Sequence, residues 1–152
     1  MFEESIKYGE YGEHTVWNML MNRAEVRSVV DVRKDKKFQE QDIDFLVENN
    51  KRQFTAVEVK TDFKAQETGN IVYELTTDGN VGCFEKTKAQ YILYFVPKAR
   101  VCYMISVKCL REYVREQKFN VVDMGDASTG YLIPIEDLKQ ANVIKNVYPE
   151  VF

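Results

Sequence analysis

Histidine, cysteine and proline are scarce in this chain, and each scarcity closes off a class of explanation. Three prolines and seven glycines never gather into a linker, and no internal repeat or low-complexity tract interrupts the sequence, so no domain boundary is marked. The cysteines, Cys83, Cys102 and Cys109, are odd in number and lack the paired spacing of a zinc site, which leaves no disulfide framework or structural zinc to expect and suits a reducing cytoplasm. The one histidine, His14, falls off the apolar stripe of its segment and is expected at the surface. No apolar run reaches membrane-spanning length, and the N-terminal residues lack the basic and apolar regions of a secretory signal, so no membrane partner is expected. An excess of positive charge is missing too. With 21 Lys and Arg against 24 Asp and Glu, the formal net charge is −3, which argues against a coat held on nucleic acid by charge alone while leaving room for local basic surfaces.

What remains is an ordinary globular composition, 45% hydrophobic and 30% charged over 152 residues, enough for a sizeable core without covalent staples. The expectation is a single domain over residues 1–152, with a core at about 5–118 and a C-terminal extension over 119–152. A helix is expected from Ser5, its candidate cap, to Arg23, with Val16, Trp17, Leu20 and Met21 as its apolar stripe. Glu13 falls on that buried face and Glu10 continues the row one turn earlier. An acid there is costly unless it finds a hydrogen bond, a cation or a metal. Gly9 and Gly12 remove side chains beside these acids and could admit another backbone or a DNA strand. A β-branched strand over Val26–Val32 follows, then a basic loop from Arg33 to Lys37. Lys34, Lys36 and Lys37, with Lys64 further on, are the candidate phosphate contacts; a solvated turn is the plainer account of the loop.

The chemistry concentrates in the next segment. Gln41–Val47 and Phe54–Lys60 read as the arms of a β-hairpin with Glu48–Gln53 as its turn. Alternate strand residues share a face, so Phe54, Ala56, Glu58 and Lys60 point one way and Thr55, Val57 and Val59 the other. Asp44 and Glu58 are equidistant from Lys51 in the turn, so pairing sets the two carboxylates opposite each other. Ionised acids so close repel unless a cation lies between them, and the nearby lysine offers a positive charge to an anionic substrate. Beyond the hairpin come a polar connection with Gln66, a strand over Ile71–Leu75 that carries Glu74, and a short helix over Glu85–Gln90. Strands over Tyr91–Val96 and Val101–Val107 are joined by a turn at Pro97–Arg100, and a helix over Lys108–Lys118 turns Arg111, Arg115 and Lys118 outward. The tail offers short strands near Val121 and from Gly130 to Ile135, then a short helix begun at Pro134 or Glu136. The class is α/β (α+β), a central mixed sheet flanked by helices.

Gly9-Glu10-Tyr11-Gly12-Glu13, then Asp42-Ile43-Asp44-Phe45-Leu46, then Val57-Glu58-Val59-Lys60-Thr61 together resemble the PD-(D/E)xK, or restriction-endonuclease-like, nuclease superfamily. The pattern is most similar to archaeal-type Holliday junction resolvases and related small nuclease-like proteins. The likeness covers about residues 5–61, with weaker support to about 118. The Pro-Asp of the motif's name is absent: Asp42 stands two residues before Asp44, and no proline is near. The resemblance implies an αβββαβ core and a Mg²⁺ or Mn²⁺ ion bound by Asp44, Glu58, the Val59 carbonyl and Glu13. It gives Lys60 the task of positioning or activating the attacking water, with Gln66 as a candidate support residue; Glu10 and Glu74, from their places on the helix and strand, and Asp42, two before Asp44, are secondary candidates, and an outward-facing strand glutamate is the plainer account of Glu74. The activity it implies is metal-dependent DNA endonuclease cleavage, structure-selective for Holliday junctions or other branched DNA in recombination. A homodimer would make the paired incisions. The alternatives are an exonuclease or restriction-type enzyme of the same superfamily, and a catalytically silent nuclease-fold module that binds DNA or a protein in replication or recombination.

Overall fold

The structure, a computed structural model, describes residues 2–152 apart from the side chains of Phe2 and Ser5. Helix α1 (Phe2–Met21) opens it, with Glu3 and Glu4 in the first turn, where negative charge complements the helix dipole. The helix backbone already runs at Phe2, and the capping side chain expected of Ser5 lies outside the described residues. Val16 and Leu20 are buried and Trp17 packs beside them, as their spacing requires. Strand β1 (Val26–Asp31) follows and pairs antiparallel with β2 (Phe45–Asn49), which pairs antiparallel with β3 (Phe54–Thr61). The basic segment between β1 and β2 is not all loop. Asp35 accepts the Lys37 N–H and caps the single turn α2 (Lys36–Gln39), an aspartate N-cap that supplies a partner to an otherwise orphaned donor. Gln41–Ile43, expected as strand, stay outside the pairing because Asp42 takes a left-handed conformation at φ 49°, which aspartate tolerates better than most residues, while Asp44 still bonds both neighbours, accepting the Val32 N–H at 3.1 Å and donating to the Val57 carbonyl.

The chain then leaves the sheet and returns. It passes through α3 (Ala65–Thr68), β4 (Asn70–Thr77), β5 (Asn80–Val81) and α4 (Cys83–Lys86) before β6 (Tyr91–Val96), which lies parallel to β3. Parallel neighbours need a crossover. In place of the full helix that an αβββαβ core would use, this one contains two single-turn helices and two strands of another sheet. A turn at Pro97–Ala99 leads to β7 (Val101–Ser106), α5 (Val107–Glu116), β8 (Val122–Asp123), β9 (Ser128–Pro134), α6 (Ile135–Gln140) and β10 (Ile144–Tyr148). The main sheet is mixed and six-stranded, ordered β1-β2-β3-β6-β7-β10, and a second sheet is ordered β5-β4-β9-β8. The last 34 residues, 119–152, thus supply strands to both sheets, and β10 extends the main one. No helix is long and apolar enough to cross a membrane among the described residues.

The two faces of the main sheet are covered differently. Helix α1 covers one, where Val16 and Leu20 meet Val29, Phe45, Val57, Val59, Leu93 and Phe95. On the other, Ile92, Tyr94 and Val96 pack against Ile71, Tyr73 and Ile133 of the second sheet and against Leu110 and Leu138 of α5 and α6. Gly12 sets how closely α1 approaches: it is buried, and a Cβ there would collide with the Thr61 side chain at the end of β3. The close approach expected of these glycines is real at Gly12, and the neighbour is this chain's own strand. Nothing lies within 4 Å of a Cβ built on Gly9.

Candidate functional site

The β2–β3 register places the acids where the turn spacing puts them. Phe45 faces Val57 and Leu46 faces Ala56, so one step further Asp44 stands opposite Glu58. Backbone pairing ends there and a side chain takes over. The Asp44 N–H donates to the Val57 carbonyl at 2.9 Å, and Asp44 Oδ2 accepts the Val59 N–H at 2.8 Å. Val59 turns its backbone groups toward a β2 strand that has already stopped pairing, which leaves its carbonyl beyond the ladder. Glu58 and Lys60 share the face of Ile92 and Tyr94, their partners on β6, and point toward the crossover segment. The Cys83 thiol, at the first residue of α4, lies 3.7 Å from Glu58 Oε1, and Lys60 Nζ lies 3.9 Å from the same oxygen, the outer limit of an ion pair.

Burial makes this patch electrostatically expensive. The Glu58 side chain is 11% exposed; burial first and the Asp44 charge second push its carboxyl up to about 9. Asp44 is raised to about 6, again chiefly by burial, with Glu13 adding to the rise against the lowering hydrogen bond from Val59. At neutral pH the metal-free pair therefore holds a proton on Glu58. Burial alone would lower the Lys60 ammonium, yet surrounding negative charge outweighs it and the group is held above its ordinary value. The Cys83 thiol is itself pushed up to about 12 by burial, and Glu74 on strand β4 and Glu58 are among the acidic groups that hold Lys60 up.

The remaining predicted residues divide. The Asp42 charge reaches Glu58, and its carboxylate is 3.6 Å from Lys86 Nζ, so Asp42 and Glu74 border the patch. Glu13 is half-buried and felt by Asp44, but its Oε2 is 2.8 Å from Arg33 Nη1. Arg33 also grips Asp31 at 2.7 Å. Glu10 is exposed, contrary to the expectation that it continues the buried row, because the first turns of α1 reach past the face that the sheet covers. Gln66 donates from Nε2 to the Phe63 carbonyl at 2.7 Å, while its Oε1 is buried with no partner among the described residues. Lys34, Lys36, Lys37 and Lys64 are exposed. His14 is exposed as expected, within 3.2 Å of Asn18. Arg111, expected outward, turns in: its guanidinium donates to the Phe84 and Thr87 carbonyls at 3.0 and 2.7 Å.

Sequence reasoning missed Arg33 and Cys83. Arg33 sat inside a basic run, and nothing local signals a partner 20 residues earlier on α1. Cys83 carried no motif; only the crossover brings it to Glu58. For a divalent ion the available donors are the Asp44 and Glu58 carboxylates and the Val59 carbonyl. Among the described residues, no three His, Cys, Asp or Glu side chains form a cluster able to hold a metal. Two carboxylates completed by waters still suit magnesium, and a cation would relieve the crowding that now keeps a proton on Glu58. Comparison of the chain with family models, with curated proteins and with solved structures finds no match.

Proposed function

We propose that this chain is a divalent-metal-dependent DNA endonuclease of PD-(D/E)xK type, selective for branched DNA such as a Holliday junction. The observation that carries the reading is the facing pair of half-buried Asp44 and buried Glu58 at the end of a β-ladder, with the Lys60 ammonium on the same face. Isolated buried acids are costly, and a strand that sets two of them opposite each other spends stability on a site. Mg²⁺ or Mn²⁺, when bound, acidifies a coordinated water and neutralises charge on the phosphoryl group. Asp44 and Glu58 would hold the ion as ionised carboxylates, together with the Val59 carbonyl. Lys60 stays protonated at neutral pH, so its role is to orient the attacking water and stabilise the developing negative charge rather than to act as base. The three free cysteines suit the cytoplasm, and paired cuts in a four-way junction call for a C2 homodimer.

One observation favours a second reading, a catalytically silent nuclease-fold module that binds DNA or a protein partner. Arg33 neutralises Glu13, the acid that would complete the metal shell. Cleavage separates the two. With Mg²⁺ or Mn²⁺ the chain is expected to cut a four-way junction, and Asp44→Ala and Lys60→Ala are each expected to lower the rate at least 100-fold, with circular dichroism unchanged. A panel of junction, flap, linear duplex and single-stranded DNA distinguishes structure-selective from exonuclease or restriction-type cutting. Intact substrates throughout, together with demonstrated metal binding, would leave the silent module standing.

A further inference from the structure

A second polar feature lies beside the carboxylate pair. An open cavity of about 540 Å³ sits where β6 begins and α5 starts, and its lining includes Lys88, Lys108, Arg111 and Arg115 against a single acid, Glu112. In a chain of net charge −3, four cations around one depression form a local reversal of sign. No acid lies within ion-pair distance of any of the four among the described residues. Arg111 is pinned by two backbone carbonyls, which orient its guanidinium without neutralising it. Lys88, Lys108 and Arg115 are exposed. Such a depression attracts anions, and guanidinium and ammonium groups are the usual partners of phosphate oxygens.

The cavity's position narrows the ligand. One short segment borders both features: Cys83 touches Glu58 at its start, Thr87 Oγ1 donates to the Asp42 carbonyl at 2.7 Å, and Thr87 and Lys88 then form the cavity wall. Gln90 on the same wall bonds Ala56 on β3, two residues before Glu58. Two strand residues span roughly 7 Å, so this wall and the carboxylate pair are tied to neighbouring positions of β3. The Lys88 N–H donates to the Gln41 carbonyl at 2.9 Å, which also joins this wall to the turn that follows α2, the helix that carries Lys36 and Lys37.

We infer that this cavity binds the phosphodiester backbone of nucleic acid beside the bond presented to Asp44 and Glu58. The inference takes its substrate class from the nuclease reading, but binding tests it apart from cleavage. Fluorescence anisotropy with a labelled duplex and a labelled four-way junction, in EDTA, compares the wild type with the triple variant Lys88→Ala, Lys108→Ala, Arg115→Ala. Arg111 is kept because it also braces two carbonyls. The triple variant is expected to keep its melting temperature, to bind at least tenfold more weakly near 0.1 M salt, and to lower the slope of log K against log salt by two to three, since each lost phosphate contact removes about 0.9. Unchanged affinity and slope in the folded triple variant would overturn the inference. Displacement of the DNA by micromolar mononucleotide or inorganic phosphate would overturn it too, because it would make the cavity a site for a free phosphate compound. Cavity-dependent DNA binding by a protein that cuts nothing supports the inference while removing the nuclease reading. Efficient cutting with unchanged binding by the triple variant does the reverse.

Discussion

The two faces of β3 show how differently one strand can be used. On one side Val57 and Val59 join Phe45 under α1, where Trp17 meets the Phe45 ring edge-on at 5.3 Å. On the other, about 3.3 Å further along at each step, Glu58 is buried and Lys60 half-buried beside Asp44, Cys83 and Glu74. The first face gains free energy from every apolar atom removed from water. The second spends free energy, since Asp44 and Glu58 are both driven toward their neutral forms. The apolar face thus anchors the strand that holds the costly one in place, and each half of this contrast can be tested.

The largest effect belongs to the apolar side. Phe45 is 0% exposed, and Phe45→Ala is expected to cost about 3–5 kcal/mol in urea unfolding, the range for aromatic truncation in a core. A loss under 1 kcal/mol would mean that α1 does not hold this face. Next comes the pH dependence of the charged side. Glu58, raised to about 9, keeps in the folded chain a proton that the unfolded chain releases near its ordinary value of 4.5. The folded state therefore binds more protons, and the metal-free chain loses stability as pH rises from about 4.5 to 9. Asp44, raised to about 6, adds to the loss in the lower part of that window. One proton gives a slope of up to about 1.4 kcal/mol per pH unit. Glu58→Gln is expected to flatten the fall between pH 6 and 8, and also to abolish any rise in melting temperature caused by Mn²⁺.

Gly12→Ala tests the spacing between the faces. Its Cβ would strike Thr61, so a loss of about 1–2 kcal/mol is expected, with Gly12→Ala/Thr61→Ala recovering part of it. The smallest effect is expected at Arg33. Its pair with Glu13 is 33% and 25% exposed, and such solvent-screened pairs contribute about 0–1 kcal/mol. Arg33→Ala should therefore barely move the unfolding midpoint. It should, however, strengthen Mn²⁺ binding in calorimetry once Glu13 is released; weaker binding would show that Arg33 supports the site.

The β2–β3 register was legible because turn spacing and strand alternation are local rules: Lys51 lies midway between Asp44 and Glu58, and the observed pairing agrees. The stripe of Val16, Trp17 and Leu20 was legible for the same reason, although Met21, expected with them, is exposed at the end of α1. The tail was harder to read. β9 and α6 follow the expected strand and helix closely, but β10 went unseen. Its sequence, Ile-Lys-Asn-Val-Tyr, is half polar, as befits a strand at the edge of a sheet. The crossover also misled, since the chemistry of Cys83 depends on α4 returning to the sheet beneath Glu58.

By itself, then, the sequence determined which residues share a face: the acids and lysine of the hairpin, the apolar stripe of α1, and the alternation that separates Val57 and Val59 from Glu58 and Lys60. Those relations follow from periods of 2 and 3.6 residues, which any short stretch carries within itself. Only the tertiary structure decided that Arg33 claims Glu13, that Cys83 and Glu74 enclose Lys60, and that four cations from two distant segments surround one cavity. Each of these joins residues whose meeting depends on how whole elements pack, and no local period encodes that.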